Sequence, residues 1–274
     1  VSNATPILSL QGALAKGYNS NSQRARVLTE PWIEEHAYCP SCGSNLKRFP
    51  NGSPLADLFC PSCKEQYELK SKSGLFTSTV VDGAYFKKIE RLSSNTNPSL
   101  FLLSYRLSDL GILSLVVMPK FFFVPRIIQK RKPLSATARR AGWIGSIIKI
   151  DQVPEIGKIS MIQDGKMLPR PNVLKQWEKT DFLSSRKSID KRSWLIDTLE
   201  CIERIKRTHF SLADVYAFEG LLATRHPENR HIRDKIRQQL QVLRDQGLIS
   251  FLGHGLYERK VMGFNIEQKL NNST

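Results

Sequence analysis

The chain has 274 residues, 41% of them hydrophobic, enough to build real cores and to exclude a disordered class. Its 41 lysines and arginines against 25 acidic residues leave a formal charge of +16, which calls for a polyanionic partner, nucleic acid or an acidic membrane surface. The longest apolar run, Ile112 to Val117, contains a serine and falls far short of a bilayer span, and the N-terminus lacks the charged-then-apolar order of a secretory signal. A cytoplasmic protein acting on DNA or RNA, with no membrane partner, is expected.

Residues 1–19 are small and polar without a sustained period, and are expected to be a mobile end. From Asn21 to Ala37 a helix fits, with Ala25, Leu28, Trp32 and Ile33 toward a core. Pro31 breaks it unless Thr29 caps a new first turn. Two CPSC knuckles follow, Cys39-x2-Cys42 and Cys60-x2-Cys63, separated by 17 residues. That spacing reads as a structural zinc site, because four thiolates close a tetrahedron and leave no position for substrate. Two disulfides would need an oxidising compartment that nothing else in the chain suggests. The fifth cysteine, Cys201, falls alone in a helical pattern.

A carboxylate pattern is threaded through the same stretch. Asp57 sits in Leu55-Ala56-Asp57-Leu58-Phe59, which reads as a strand, and Glu68-Leu69-Lys70 begins 11 residues later. Glu68 and Lys70 leave one face of a second strand, and a hairpin would place Asp57 beside them. Two carboxylates and a backbone carbonyl, that of Leu69, can hold Mg2+, with a lysine to orient a water or stabilise charge on a phosphate. A solvated Glu-x-Lys pair after a zinc knuckle is the bland alternative. Glu34 or Glu35 is a further candidate acid, with a solvated helix face as the plainer reading.

Thr77 to Val81 reads as a strand or extended loop, with Asp82-Gly83 introducing a helix from Ala84 to Leu92. Leu100 to Tyr105 and Ile112 to Met118 read as two strands that extend the sheet. Phe121, Phe122 and Phe123 suit a core or sheet edge better than a base-stacking platform. Gln129 to Arg140 is strongly basic, carrying Arg139 and Arg140, and is either a solvated run or a phosphate-contacting loop. Trp143 lies between Gly142 and Ile144-Gly145, where a turn can thrust the indole outward, although tryptophan is more often core. Lys158 to Gln163 is a short strand, Asp164-Gly165 a turn, and Pro169 to Pro171 a break.

Residues 184–192 are polar and charged, and are expected to be a linker. Beyond them Leu195, Leu199, Ile202 and Ile205 form one helical stripe, and Ser211-x-x-Asp214 caps a second helix bearing Leu212, Val215, Phe218 and Leu222. Ile232, Ile236, Leu240 and Leu243 form a third stripe, followed by a hairpin around Gly253-His254-Gly255. Three helices and a hairpin are the winged-helix order. On the third helix Arg230, Asp234, Arg237, Gln238 and Gln241 face away from the stripe, flanked by Arg233 and Lys235. Arginine suits guanine or phosphate and glutamine suits adenine, so this face can read a groove; a solvated protein-contact helix is the alternative.

The D-x10-E-x-K pattern with interleaved cysteines resembles the PD-(D/E)xK nuclease signature. The chain is similar to the DpnI family of methyl-directed restriction endonucleases in SNSQRARVLTEPW (20–32), YCPSCG (38–43), ADLFCPSC (56–63), YELKSKSG (67–74), DGAY (82–85), KPLSATARRAGWIG (132–145) and HIRDKIRQQLQVLRD (231–245). The resemblance implies an α/β restriction-endonuclease-like core over residues 20–183 with an inserted zinc hairpin over 39–63, a linker over 184–192, a winged-helix domain over 193–260 and a mobile tail over 261–274. It implies duplex DNA carrying N6-methyladenine in GATC as substrate, Asp57, Glu68 and Leu69 on Mg2+, Lys70 assisting the attacking water, and Zn2+ on the four cysteines. Arg139, Arg140 and Trp143 would meet DNA from the core, with the third helix contributing from the second domain, and a monomer is the expected state. The rivals are a non-catalytic zinc-ribbon and winged-helix regulator, which leaves Asp57, Glu68 and Lys70 without a role, and a repair nuclease of the same core.

Overall fold

The computed structural model describes residues 8–50, 56–94, 96–186 and 188–260. They form two compact units, one within Val1–Val153 and Gly157–Ile189, the other within Pro154–Ile156 and Asp190–Thr274. The C-terminal tail over 261–274 lies outside the described residues, as do residues 1–7 and Leu55 of the expected Asp57 strand.

In the first unit, α1 (Asn21–His36) runs unbroken through Pro31. Thr29 does not cap a new turn; its hydroxyl donates back to the Ala25 carbonyl at 2.8 Å and reaches the Ser71 hydroxyl at 3.0 Å. Leu28, Trp32 and Ile33 are buried on either side of the proline, and that apolar face outweighs the one helical hydrogen bond proline forfeits.

The strands then follow as β1 (Lys47–Arg48), β2 (Leu58–Phe59), β3 (Gln66–Ser73) and β4 (Thr79–Ala84). Helix α2 (Tyr85–Ser93) leads to β5 (Ser99–Tyr105), β6 (Ile112–Met118), β7 (Ile128–Lys130), β8 (Gly145–Lys149), β9 (Ile159–Gln163), β10 (Lys166–Met167) and α3 (Arg170–Glu178). One sheet has the order β1-β2-β3-β5-β6-β9-β10, and β4-β8-β7 make a second. Within the larger sheet β3 and β5 are parallel, with Glu68 opposite Leu100 and Lys70 opposite Leu102, and its other neighbours are antiparallel. Parallel neighbours need a long crossover. Here that crossover contains β4 and α2, which brings their side chains back to β3. All seven residues of β5 are buried, as suits a strand covered on both faces.

Three expectations for this unit are corrected. Part of the expected mobile end is docked: Leu8 O accepts from Ile112 N at 2.8 Å, Ser9 bridges Gly111, and Leu10 is buried. The helix expected from Ala84 to Leu92 forms as α2, but Asp82 ahead of it is drawn into β4, opposite Ser146. The Pro169 to Pro171 stretch is not simply a break; it starts α3, where a first-turn proline has no helical partner to lose.

In the second unit α4 (Ile189–Arg204) begins inside the expected linker, with Arg192 buried. It leads to β11 (His209–Ser211), α5 (Leu212–Tyr216), α6 (Glu219–Arg225), α7 (Ile232–Asp245), β12 (Ile249–Gly253) and β13 (Leu256–Arg259). The Ser211–Asp214 capping box forms, but the helix it starts ends at Tyr216, so the expected second helix is two short ones. Strands β11 and β12 flank β13, making a small antiparallel sheet. Ahead of α7, His226 stacks on Trp194 at 3.8 Å and meets Asp197 at 2.8 Å, which pins the turn into that helix. Among the described residues no helix is long and apolar enough to cross a membrane.

Candidate active site and cysteine cluster

The two knuckles fold alike. Cys39 N donates to Ser44 O at 2.8 Å and Gly43 N to Cys39 O at 2.8 Å; Cys60 N donates to Glu65 O at 2.8 Å and Lys64 N to Cys60 O at 3.0 Å. The residue after each second cysteine is left-handed, Gly43 at φ +80° and Lys64 at φ +65°. Glycine takes that conformation freely, whereas Lys64 is held there by the turn.

Across the knuckles Cys39 Sγ lies 3.5 Å from Cys63 Sγ and Cys42 Sγ 3.4 Å from Cys60 Sγ, with all four sulfurs within 4.8 Å of one another. A tetrahedral ion with metal–sulfur bonds of about 2.3 Å has sulfur–sulfur edges of about 3.8 Å, so the cluster fits one such ion. The cysteines are not disulfide-bonded. The Tyr67 hydroxyl sits 3.0 Å from Cys39 Sγ, and burial together with that sulfur pushes its pKa up. Cys201 is buried in α4, in the other unit.

The hairpin stapled by these cysteines carries Asp57 to β3. Its N–H donates to Tyr67 O at 3.0 Å, and its Oδ2 accepts from Leu69 N at 2.7 Å. Backbone groups of alternate strand residues point the same way, so the Leu69 carbonyl lies on the edge that Asp57 caps. Strand β2 ends after its pairs with Gln66 and Tyr67, leaving this part of the edge to a side chain. Burial raises the Asp57 pKa, opposed by the Leu69 N–H and reinforced by the nearby Glu68 charge.

Glu68 and Lys70 project together from β3, with Lys70 Nζ 2.7 Å from Glu68 Oε1. The crossover adds two residues that the sequence reading missed. Asp82 of β4 lies 2.9 Å from Lys70 through Oδ1 and 2.9 Å from Lys88 through Oδ2. Lys88 of α2 closes a ring on Glu68 Oε2 at 3.2 Å. The β4–β8 register shifts between Asp82 and Ala84, a bulge that aims this part of the strand. Burial disfavours the Lys70 ammonium, but Glu68 and Asp82 outweigh it and raise its pKa above the ordinary value. Burial likewise disfavours the Asp82 carboxylate, yet Lys88 and Lys70 hold its pKa well below the usual range. The one local signal was alternation in β4, where Val80 and Asp82 share the buried face; nothing near Lys88 marked it.

The α1 acids go elsewhere. Glu34 pairs with Arg48 at 2.6 Å and Glu35 is exposed beside His36. Glu30, one turn earlier, is the helix acid whose pKa is raised by burial and, after the opposing Arg26, by Asp57.

The basic loop between β7 and β8 is exposed at Arg139 and Arg140 and closed by Leu134 N to Trp143 O at 2.9 Å. Trp143 is half-buried: it rests against Gly145, where a Cβ would come within 2.8 Å of the ring, and Arg140 lies over it at 4.6 Å. In the second unit Arg233, Arg237, Gln238 and Gln241 are exposed on α7, while Lys235 is half-buried against Trp194. Arg230 is exposed but lies ahead of α7 rather than on it, a correction to its expected place on the helix face. Arg237 donates to the Tyr216 hydroxyl at 2.8 Å and to Asp234, and Arg233 pairs with Glu219 at 2.8 Å.

Comparison with protein families finds two matches. A family model described as DpnI, the Dam-replacing family, matches residues 7–186, and one described as the Dam-replacing helix-turn-helix domain matches residues 190–259.

Proposed function

The chain belongs to the DpnI, or Dam-replacing, family, and from that premise we propose that it is a Mg2+-dependent restriction endonuclease of PD-(D/E)xK type. Its substrate is duplex DNA at GATC sites carrying N6-methyladenine. The observation that carries the reading is the convergence of Asp57, the Leu69 backbone and the Glu68–Lys70 pair at one edge of β3. Asp57, Glu68 and the Leu69 carbonyl are hard oxygen donors of the kind Mg2+ prefers, and among the described residues Asp57 has no ion-pair partner to displace. When bound, Mg2+ supplies positive charge to the scissile phosphate and acidifies a water.

The chain's own residues do the rest. Asp57 is oriented by the Leu69 N–H, which occupies Oδ2 and leaves Oδ1 for coordination. Lys70 is held protonated by its two carboxylate neighbours, so it acts as a donor to the attacking water or a phosphate oxygen rather than as a base. Hydrolysis forms a bond from the water oxygen to phosphorus and breaks the ester bond; the water's proton passes to solvent and the leaving oxygen takes one up. The cysteine cluster holds Zn2+ as a staple that sets the position of Asp57, three residues before Cys60. A winged helix over 193–260 binds the duplex through α7, with Arg139, Arg140 and Trp143 contributing from the core. The protein works in the cytoplasm as a monomer.

A regulator without catalysis leaves Asp57, Glu68 and Lys70, which converge at β3, without a role. Incubating the protein with methylated, hemimethylated and unmethylated plasmid, with Mg2+ or EDTA, tests the reading. Mg2+-dependent cutting confined to methylated GATC is expected. Binding without cutting would return the regulator, and cutting regardless of methylation would return a repair-type nuclease.

A further inference from the structure

The ring of charges around Glu68 has an order that the proposed chemistry does not by itself require. Lys70 and Lys88 each bridge the same two carboxylates, and each carboxylate gives one oxygen to each lysine. Exposure is graded: the side chains of Asp82 and Lys88 are 3% and 7% exposed, those of Glu68 and Lys70 20% and 24%. Asp82 and Lys88 therefore form the floor of the site and Glu68 and Lys70 its mouth. Lys88 is additionally walled by Phe123, whose ring centroid is 5.7 Å from Nζ. A buried ring of ions is seldom worth more to stability than apolar residues of the same volume. A lysine placed there needs another reason.

Charge balance supplies one. Asp57, Glu68 and Asp82 against Lys70 and Lys88 leave the site with one negative charge. One divalent ion turns that to one positive charge, and one phosphodiester neutralises it. Without Lys88 the ion-loaded site would be neutral and would attract the phosphate less; with a second divalent ion the site would be left strongly positive. The contact from Lys88 to Glu68, at 3.2 Å, is also the longest in the ring, and it falls on the carboxylate that a metal would share with Lys88.

We propose that Lys88 is the second cation of the catalytic site: released from Glu68 and still anchored by Asp82, it meets the scissile phosphate, so that the centre works with a single divalent ion. Asp82 is the positioning residue for both lysines. This inference rests on the nuclease reading above.

Lys88 competes with metal for Glu68, so removing its charge pulls metal binding and catalysis in opposite directions, which loss of a merely structural lysine would not do. The experiment follows Mn2+ binding to the full chain by electron paramagnetic resonance, without DNA, alongside cleavage. Wild type is expected to bind one Mn2+ that is lost in Asp57→Asn, and to show a Hill slope of one for Mg2+ activation. Lys88→Met is expected to bind Mn2+ at least about tenfold more tightly, the direction that removal of a like charge a few ångströms away gives. It is expected to cleave at least about 100-fold more slowly, the scale of losing one transition-state charge. Lys88→Arg should keep metal affinity near wild type. If Lys88→Met does not fold, Lys88→Gln replaces it, with the same opposed changes in Mn2+ affinity and cleavage expected.

Asp57-dependent binding that is no tighter in Lys88→Met overturns this inference and leaves the nuclease reading standing. So does near wild-type cleavage by that variant, or two Asp57-dependent Mn2+ ions per chain. Absence of any Asp57-dependent Mn2+ binding in wild type removes the nuclease reading, and this inference with it.

Discussion

The candidate site of the first unit and helix α7 of the second hold their charges in opposite ways. In the first, Glu68, Lys70, Asp82 and Lys88 sit in a closed ring with every link at 3.2 Å or less, and Asp82 and Lys88 are buried. On α7 of the second, Arg233 and Arg237 pair with Glu219, Asp234 and Tyr216 in the open, with Gln238 and Gln241 exposed beside them. Exposed pairs of this kind contribute little, being screened by solvent, and are readily exchanged for phosphates or base edges. A buried pair costs about 3–5 kcal/mol to break, because the surviving charge is stranded. The first arrangement holds a geometry and the second is available to a partner, which is what the proposed catalysis and DNA reading would each need.

That contrast can be broken most completely at the cysteines. Cys60→Ser should uncouple the knuckles, abolish cleavage and lower the thermal midpoint of the first unit, because metal binding and folding are coupled in such hairpins. Metal analysis of the purified protein should return one zinc per chain, and well under one would remove the staple.

Next in size is the ring itself and the acid beside it. Asp57→Ala and Lys70→Ala should each lower cleavage by about 100-fold or more while leaving DNA binding intact, because the basic surface is untouched. Cleavage assays paired with mobility shifts at low salt check this, and near wild-type cutting by either variant would show that the convergence on β3 is not the catalytic centre.

On the exposed surface the effects should be smaller. Arg237→Ala should weaken binding to a methylated GATC duplex by about 1–3 kcal/mol if it reads a base edge. If it meets only phosphate, the loss should be uniform across sequences and the salt slope should fall by about one. Titrations against matched and scrambled duplexes at several salt concentrations separate the two outcomes.

The methyl group should give the smallest effect. Burying one methyl is worth about 0.8 kcal/mol, so two read together give about 1.6 kcal/mol. Trp143→Ala should therefore lower the preference for methylated over unmethylated sites by about tenfold, more than it lowers nonspecific binding. Arg140 already lies over the indole at 4.6 Å, so Arg140→Ala should alter the same preference by freeing that ring. Unchanged discrimination in both variants would move methyl reading away from this loop.

The sequence by itself determined the features whose physics is local. Cysteine spacing and the turn after each second cysteine decided the knuckles, and alternation along β3 put Glu68 and Lys70 on one face. The same holds for the Ser211–Asp214 box and for the Ile232, Ile236, Leu240 and Leu243 stripe of α7, both set by positions within a turn or two of each other. What the tertiary structure alone decided depends on segments far apart in the chain. Pro31 stays inside α1 because residues on both sides of it are buried against the sheet core, and Leu8 to Leu10 is docked by pairing with the turn between β5 and β6. Most of all, Asp82 and Lys88 reach the candidate site because β3 and β5 are parallel and the crossover between them returns over β3. No local pattern encodes that return, since a parallel pair is specified by long-range burial of both strands rather than by any turn that joins them.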